Sequence, residues 1–322
     1  MRTSTATIDV EVRRVHVESR TIKSFDLERV DGAPFPAYEA GAHVDVEMAD
    51  HLVRSYSLIG PIGQDRVCRI AVALDPNSRG GSRYMHDSVQ PGSRLRISPP
   101  RNHFALATEA PHSILIAGGI GITPLWAMIQ TLNQLGSSWA LFYAARSRPL
   151  AAFVSELEEA ARAGKGTVEF WFDDEHEGRP IDVRPIVQDA PPDAHLYCCG
   201  PAPMMSLFRE AAPSENSDQI HLEYFRPVES VAPTGSFEVE LARSKCVVPV
   251  PAGSSILDAL IMRGIDAPYS CYEGLCGTCE TRVLAGIPDH RDQLLTEKAK
   301  ASNQTVIICC SRSLSPRLVL DL

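Results

Sequence analysis

The segment Pro268-Tyr-Ser-Cys271-Tyr-Glu-Gly274-Leu-Cys276-Gly277-Thr-Cys279, completed by Cys309, identifies one domain of this chain. Its spacing, C-x4-C-x2-C followed by a distant cysteine, is the plant-type arrangement for holding a [2Fe-2S] cluster with four thiolates. Gly274 and Gly277 let the loop curl tightly, so that backbone N–H groups turn toward the sulfur atoms. The sequence therefore predicts an iron-sulfur site with the ligands Cys271, Cys276, Cys279 and Cys309.

Other uses of these cysteines fit the spacing less well. A structural zinc ion usually takes two short C-x2-4-C pairs, and only Cys276 and Cys279 form one here. The chain has nine cysteines, an odd number that does not suit a disulfide framework and favours a reducing cytoplasm. Since free cysteine is among the most buried residue types, most of the others are expected in the core. They are Cys68, Cys198, Cys199, Cys246 and Cys310.

Length and composition limit the classes of protein to consider. At 322 residues the chain predicts two or three domains, and its 44% hydrophobic and 22% charged residues are ordinary for a soluble protein. The net charge of -9 argues against nucleic acid as the main partner. The first ten residues lack the apolar core of a signal peptide, and the uncharged stretch 111–145 is interrupted by glycines and polar residues. Neither export nor a membrane span is predicted.

The first third of the chain, up to about residue 105, has the pattern of an antiparallel β-barrel. Short segments of alternating polarity, such as 8–12 and 42–48, are separated by turn residues. One predicted strand carries Arg54-Ser55-Tyr56-Ser57, which offers a cation, hydroxyl groups and an aromatic ring to a flat cofactor with a phosphate tail. A glycine turn, Arg79-Gly80-Gly81-Ser82, precedes a predicted helix over 83–87, and such a turn is a typical anion site.

The middle third alternates buried strands with helical stretches, which predicts a doubly wound α/β domain with a parallel sheet. The strands are expected at 113–117, 139–144, 168–172, 195–199 and 220–224. The loop Gly118-Gly-Ile-Gly-Ile-Thr123-Pro124 follows the first strand, with Thr123 expected as helix N-cap and Pro124 at the first helical position. A second glycine turn is Cys199-Gly200-Pro201. Together the two loops favour a nucleotide, although the G-x-G-x-x-G fingerprint is absent.

The last third begins after a polar connector, 226–234, which is rich in proline. A hairpin is expected over 237–250, followed by a helix capped by Ser254 and Ser255 and ended by Gly264. The cluster loop comes next, and a strand over 305–309 is expected to deliver the last ligand. These elements predict a small β-rich domain around one cluster.

These motifs, in this order, resemble the phthalate dioxygenase reductase family, which includes vanillate demethylase reductases. The resemblance covers essentially the whole chain, including Asp289-His-Arg-Asp292 and the closing Leu318-Val-Leu-Asp-Leu322. It implies a multidomain protein with an antiparallel β-barrel that binds FMN (1–106), a doubly wound α/β domain that binds NADH (107–228) and a C-terminal β-grasp [2Fe-2S] ferredoxin domain (235–322).

The resemblance also implies roles for individual residues. Those expected to bind cofactors are Arg54, Ser55, Tyr56, Ser57, Ala71, Val72, Gly80, Gly81 and Ser82 for the flavin, and Gly119, Thr123, Asp173, Cys199 and Pro201 for the dinucleotide. Ser57 and Phe225 are expected where hydride is transferred, with Phe225 stacked on the flavin. Two departures from the family stand out. Ala73 occupies a position that is often lysine, and Arg146-Ser147-Arg148 offers no acidic residue to a ribose, so NADPH is an alternative to NADH.

Electron counting predicts the function. A nicotinamide gives two electrons as hydride, a [2Fe-2S] cluster accepts one, and a flavin handles either, so one chain with all three converts hydride into single electrons. The resemblance implies that these electrons pass to a Rieske-type aromatic-ring oxygenase or demethylase. The cysteines, the charge and the hydropathy pattern predict a cytoplasmic protein that binds neither nucleic acid nor membrane, and a monomer is expected. The alternatives are a standalone flavin oxidoreductase with another acceptor, or a redox-sensing module without turnover.

Overall fold

The computed structural model describes residues 7–48, 52–60, 66–212, 218–225 and 235–322. Internal contacts divide the chain into two compact units, one spanning residues 6–225 and the other residues 226–322. The predicted connector, 226–234, lies outside the described residues. No helix among the described residues is long and apolar enough to cross a membrane.

The first sheet of the larger unit is antiparallel, and its strands follow the order β4-β3-β6-β1-β2-β5, with β7 paired to β3. The path closes because Leu58, just after β4, bridges to Ile70 on β5, which makes the predicted barrel. Alternate residues of β1 point into the barrel, where Val10 and Val12 are fully buried. The elements are β1 (Ile8–Val17), β2 (Ile22–Arg29), β3 (Ala42–Glu47), β4 (Val53–Ser57), β5 (Val67–Ala73), α1 (Gly81–Asp87), β6 (Arg94–Ile97) and β7 (Arg101–Asn102).

The second sheet of this unit is wholly parallel, with the order β10-β9-β8-β11-β12. The chain starts in the middle at β8, runs outward to β10 and returns to β11, so the order reverses between β8 and β11. A ligand crevice forms at such a reversal, beyond the carboxyl ends of the strands. The elements are β8 (His112–Gly118), α2 (Ile122–Leu135), β9 (Ser138–Ala145), α3 (Val154–Ala163), β10 (Lys165–Phe172), α4 (Arg184–Gln188), β11 (His195–Cys199), α5 (Ala202–Ala211) and β12 (Ile220–Glu223).

Both faces of the parallel sheet are covered, as the doubly wound prediction requires. One face packs with α2 and α3, and the same hydrophobic cluster includes Ile22, Ala71 and Phe104 from the barrel side. The opposite face packs with α4 and α5. Because the barrel and the parallel sheet share buried side chains, the strands β4 and β5 are held in a fixed position relative to the crevice.

The smaller unit has a mixed five-stranded sheet in the order β14-β13-β19-β15-β17, with β13 and β19 parallel and a helix packed against it. Its predicted hairpin is β13 and β14. Ser255 caps the helix through a reciprocal pair of hydrogen bonds with Asp258, as a capping box does. The elements are β13 (Phe237–Leu241), β14 (Cys246–Val250), α6 (Ile256–Met262), β15 (Glu280–Ala285), β16 (Pro288–Asp289), α7 (Glu297–Ser302), β17 (Thr305–Ile307), β18 (Arg312–Ser313) and β19 (Arg317–Leu320).

Three local expectations were wrong. The helix α1 begins at Gly81 rather than Arg83, because the glycine turn is its first turn. Thr123 is not an N-cap: a 3₁₀ turn over Gly119–Gly121 leads straight into α2 at Ile122, and the Thr123 hydroxyl donates to the Ile120 carbonyl at 3.0 Å. The strand β17 ends at Ile307, so Cys309 lies in the turn that follows, where Ser311 N–H bonds to Ile307 O.

Candidate functional site

The side chain of Arg54, on β4, lies across the start of α1. A Cβ atom on Gly81 would be 2.8 Å from Arg54 Cγ and 3.3 Å from Arg54 Nε, so glycine leaves the arginine room to pass. Gly80 precedes the helix with a φ of 102°, a left-handed conformation that favours glycine. The guanidinium and the first N–H groups of α1 therefore lie close together, which is the chemistry that a phosphate group needs.

The predicted flavin residues on β4 lie on two opposite faces of the strand. Neighbouring residues of a strand point to opposite sides, so Arg54 and Tyr56 share one face of β4, and Ser55 and Ser57 share the other. The Ser55 hydroxyl donates to Asp45 Oδ1 at 2.6 Å, which leaves mainly its backbone for a ligand. Ser82 Oγ accepts from Asp75 N at 3.1 Å and keeps its own hydrogen to donate.

Strand β5 offers backbone at the edge of the barrel. It pairs with β2 on one side, and on the other side the described residues show only the bridge from Leu58 to Ile70. Ala71 follows that bridge directly and is buried, while the carbonyl of Val72 is 2.8 Å from His86 Nε2 on α1. The Val72 carbonyl therefore already has a side-chain partner on α1.

The two glycine loops of the parallel sheet touch at the reversal point. A Cβ on Gly121 would be 2.0 Å from the carbonyl oxygen of Cys199, and one on Gly118 would be 2.5 Å from Pro201 Cδ. Any larger residue at either position would force the loops apart. Gly119 has a φ of 56° and open space around its Cα, so a ligand has access to backbone there. The structure thus brings Gly119, Cys199 and Pro201 to one crevice, with the buried Thr123 directly behind them.

A buried carboxyl group, Glu223, lies in this crevice and was not among the residues expected from sequence. Glu223 and Cys199 are register partners on β12 and β11, and the Cys199 side chain is fully buried against it. Ser57, from the barrel, lies beside Glu223 near enough to lower the pKa of the carboxyl, but without a hydrogen bond of standard geometry. Ser57 Oγ and Glu223 Oε2 are both buried and lack a hydrogen-bond partner.

Burial raises the pKa of Glu223 to about 8, and the nearby Ser57 hydroxyl offsets only part of this effect. Glu223 therefore carries a proton at neutral pH and can donate a hydrogen bond from within the crevice. Two orphaned polar atoms on neighbouring side chains from different sheets mark a place for a polar ligand. The sequence signal was a glutamate in a strand that was expected to be buried, where charged residues are rare.

The remaining predicted residues lie at the rim of the same sheet. Phe225, two residues beyond Glu223, has a ring that is 37% exposed. Asp173 follows β10, and burial together with Asp174 raises the pKa of its carboxyl, while Arg146 opposes this. Arg148, the other arginine of this loop, does not act on Asp173. Its guanidinium carbon lies over the rings of Phe170 and Phe172, at 5.6 and 5.0 Å from their centroids.

The four predicted cluster ligands come together in two pairs. The thiols of Cys271 and Cys276 lie close together, and so do those of Cys279 and Cys309, while the Cys310 thiol lies close to Cys309 as well. Backbone N–H groups point at the sulfurs, from Glu273 to Cys271 Sγ at 3.4 Å and from Gly274 to Cys309 Sγ at 3.3 Å. Two thiolates for each of two irons, with N–H donors to sulfur, is the donor set of a [2Fe-2S] cluster, so the residues present fit that group.

A site for a single metal ion would need at least three ligands around one point. Among the described residues, no group of three or more His, Cys, Asp and Glu side chains is arranged to hold a single ion. All nine cysteines of the chain are free thiols, so no disulfide competes for the four ligands.

Comparison with known proteins assigns the same two regions. The family model for an oxidoreductase NAD-binding domain matches residues 115–210, and that for a 2Fe-2S iron-sulfur cluster binding domain matches residues 239–314. The chain is 44% identical to tetrachlorobenzoquinone reductase of Sphingobium chlorophenolicum over 100% of both chains. It is 40% identical to vanillate O-demethylase oxidoreductase of a Pseudomonas species (strain HR199), covering 98% of this chain and 100% of the relative.

A solved structure agrees with these relatives. Phthalate dioxygenase reductase, described as a modular structure for electron transfer from pyridine nucleotides to [2Fe-2S], superimposes with a TM-score of 0.71 at 34% identity, over 98% of each chain. This chain belongs to the phthalate dioxygenase reductase family. It is an oxidoreductase that uses a pyridine nucleotide, with FMN and a [2Fe-2S] cluster as its cofactors, so the predicted family, fold class and cofactors are confirmed. The redox-sensing alternative is not supported.

Glu223→Gln tests the buried proton of this reductase. The pKa of Glu223 is higher in the folded protein than in the unfolded chain, so its contribution to stability is present below pH 4.5 and is lost as the pH rises toward 8. We expect the variant to gain stability over the wild type by about 3 kcal/mol between pH 5.5 and pH 8. Urea unfolding followed by tryptophan fluorescence measures this, since Trp126, Trp139 and Trp171 all lie in the larger unit. A stability difference that does not change with pH would show that Glu223 is ionised in the folded protein.

Replacing the adjacent thiols one at a time tests the ligand set. Cys309→Ala removes a sulfur that is paired with Cys279 and should abolish the visible absorbance of the cluster. Cys310 lies next in sequence, with Sγ 2.7 Å from where a Cβ of Gly274 would be, so it packs against the loop. Cys310→Ala should retain more than half of the iron and acid-labile sulfide. Retention by Cys309→Ala with loss by Cys310→Ala would reverse the assignment.

Proposed function

We propose that this chain takes hydride from NADH in the crevice between the barrel and the parallel sheet, and delivers single electrons to a separate oxygenase component. The observation that carries the proposal is the presence, in one chain, of this crevice and of a loop with two thiol pairs. FMN, when bound there, would supply the chemistry that accepts two electrons as hydride and gives them up one at a time. A protein that only transferred hydride would not need the cysteine loop, and a protein that only carried single electrons would not need the crevice.

The proposed roles follow the positions of the side chains. Arg54, Gly80, Gly81 and Ser82 hold the FMN phosphate, and Tyr56, Ala71 and Val72 hold the ring. Ser57 and the protonated Glu223 donate hydrogen bonds in the crevice, and Phe225 covers the flavin until nicotinamide enters. Gly119 and Pro201 bring backbone close to the dinucleotide, and Asp173 meets its adenosine end. The electron leaves through the cluster held by Cys271, Cys276, Cys279 and Cys309.

We also propose the domain boundaries 1–106, 107–228 and 235–322, and that the protein works as a monomer in a reducing compartment. The change from β7, ending at Asn102, to β8, starting at His112, supports the first boundary. The nine free thiols support the compartment.

The partner is proposed to be the terminal component of a Rieske-type aromatic-ring oxygenase or demethylase. Support comes from the vanillate O-demethylase oxidoreductases, and from a 37% identical 3-chlorobenzoate-3,4-dioxygenase reductase subunit of Comamonas testosteroni, which covers 97% of this chain. A standalone quinone reductase is the second candidate, and the 44% identity to tetrachlorobenzoquinone reductase favours it. A quinone would take electrons at the flavin and would not need the cluster.

NADH is proposed over NADPH because of the groups around the adenosine end. Arg148 lies over two phenylalanine rings and pairs with Glu158 at 3.6 Å, so it is held along the surface of the sheet. Arg146 lies near the Asp173 carboxylate, which would repel the 2'-phosphate of NADPH.

Asp173→Asn tests this assignment of the dinucleotide. Removing the carboxylate leaves Arg146 without an opposing charge, so we expect the ratio of kcat/KM for NADPH to that for NADH to rise about tenfold, the equivalent of 1.4 kcal/mol. Asp174→Asn, one residue further along and more exposed, is the matched control and should change the ratio less than twofold. Equal effects of the two variants would remove Asp173 from the site.

A variant without a cluster, Cys276→Ala, separates the two candidate functions. We expect reduction of cytochrome c, a one-electron protein acceptor, to fall more than tenfold, because electrons would no longer have their exit. Flavin bleaching by NADH in a stopped-flow experiment should continue at the wild-type rate. Unchanged cytochrome c reduction would contradict exit through the cluster, and tetrachlorobenzoquinone turnover that exceeds cytochrome c turnover in both proteins would favour the quinone reductase.

A further inference from the structure

Tyr272, the residue after the first cluster ligand, has a backbone conformation that is unusual for a tyrosine. Its φ is 63°, in the left-handed region that glycine normally occupies. Among the described residues, only four other non-glycine residues have a positive φ. One of them, Lys245, lies in the same unit and has a φ of 53°. A conformation of this kind costs about 1–3 kcal/mol and persists only where surrounding contacts hold it.

The left-handed turn at Tyr272 shapes the loop around Cys271. The N–H groups of Glu273 and Leu275 point to Cys271 Sγ, the first at 3.4 Å, and the N–H of Gly274 points to Cys309 Sγ. Gly274 is left-handed too, with a φ of 72°. Successive N–H groups that converge in this way form a concave anion site, which suits thiolate ligands.

The side chain of Tyr272 is held by Asp258 on helix α6. The phenol O–H donates to Asp258 Oδ1, and the ring meets that of Tyr269 edge to face, with centroids 5.7 Å apart. The other oxygen, Asp258 Oδ2, accepts from Ser255 N at 2.9 Å and Ser255 Oγ at 2.7 Å. One carboxylate thus serves the helix cap with one oxygen and the cluster loop with the other.

This contact lies on the open side of the loop. Cys276, Cys279 and Cys309 are at most 5% exposed, whereas Cys271 is only half-buried. Tyr272, beside Cys271, is 40% exposed. Solvent therefore reaches the ligand set at Cys271, next to the Tyr272 ring.

We propose that Tyr272 is a positioning residue for the cluster: its bond to Asp258 fixes the left-handed turn that directs two N–H donors at Cys271 and restricts access to that ligand. The proposal rests on the four-cysteine ligand set proposed above. N–H donors to sulfur raise the reduction potential of a cluster, because they favour its more negative, reduced form. The tyrosine would then influence both the potential of the cluster and its lifetime.

Iron release from the full-length holoprotein into a chelator tests the proposal. Tyr272→Phe keeps the ring and removes the hydroxyl, so release should accelerate about three- to tenfold, the effect of losing one hydrogen bond. Asp258→Asn should act in the same direction, and the double variant should be no faster than the faster single one. In an EPR-monitored titration at one fixed potential, the ratio of reduced to oxidised cluster should fall about threefold in Tyr272→Phe.

Two control variants separate the hydrogen bond from general stability. Ser255→Ala removes the two hydrogen bonds of Ser255 Oγ, to Asp258 Oδ2 and from Asp258 N, and leaves the Tyr272 bond to Oδ1, so it should destabilise α6 without changing iron release or the reduced fraction. Tyr272→Gly removes the backbone cost as well as the bond and should still release iron faster than the wild type. Lys245→Gly removes the cost of a left-handed backbone in the hairpin between β13 and β14, away from the cluster loop. The rate of iron release should therefore stay at the wild-type value.

The metal-free protein gives a readout that does not depend on the cluster. Alkylation of Cys271, followed by peptide mass analysis, should be faster in Tyr272→Phe, with Cys246 on β14 as the reference in the same digest. Wild-type rates of release and alkylation in Tyr272→Phe, or equally large effects in Ser255→Ala, would overturn the proposal. A wild-type protein that binds no iron would instead contradict the proposed function, so the two failures can be told apart.

Discussion

The structure depends most on how negative sulfur is accommodated away from bulk water. Four thiolates and the sulfides they would bind are stable in a protein interior only where N–H groups face them, and short loops supply such groups only with left-handed turns. The smaller unit is arranged for this. Tyr272, Gly274 and Gly277 are all left-handed, α6 lies behind the loop, and the turn after β17 brings Cys309 to Cys279.

The larger unit manages charge by the opposite means, because it keeps a carboxyl neutral. Glu223 is held where burial, with no balancing cation from the part of the chain that the structure describes, raises the pKa of its carboxyl to about 8. The arrangement needs β12 beside β11, and it also needs Ser57 from a different sheet. That meeting is possible because the barrel and the parallel sheet share one hydrophobic cluster. Packing between the barrel and the parallel sheet therefore sets the geometry of the crevice.

Sequence alone predicted what local spacing determines. The cysteine spacing specified the cluster loop, and the two glycine loops were placed at the correct sheet edge because parallel strands end on the same side. What depends on tertiary pairing was missed. Ser55 turned out to face Asp45, on a neighbouring strand, and Glu223 became significant only when β12 and Ser57 were placed beside it. Thr123 was expected as a cap because threonine before proline is a common helix start, but the 3₁₀ turn over Gly119–Gly121 begins the helical path earlier. The roles of the individual cofactor-binding residues stay predictions.

The most direct test of the account is an anaerobic titration of the purified protein with NADH, followed by visible absorbance and by low-temperature EPR. The account predicts that the flavin absorbance bleaches and that a reduced [2Fe-2S] signal grows in the same samples, with FMN identified by the mass of the released flavin. A flavin that is fully reduced while the cluster stays oxidised would contradict it, because the cluster loop would then not be the exit for electrons.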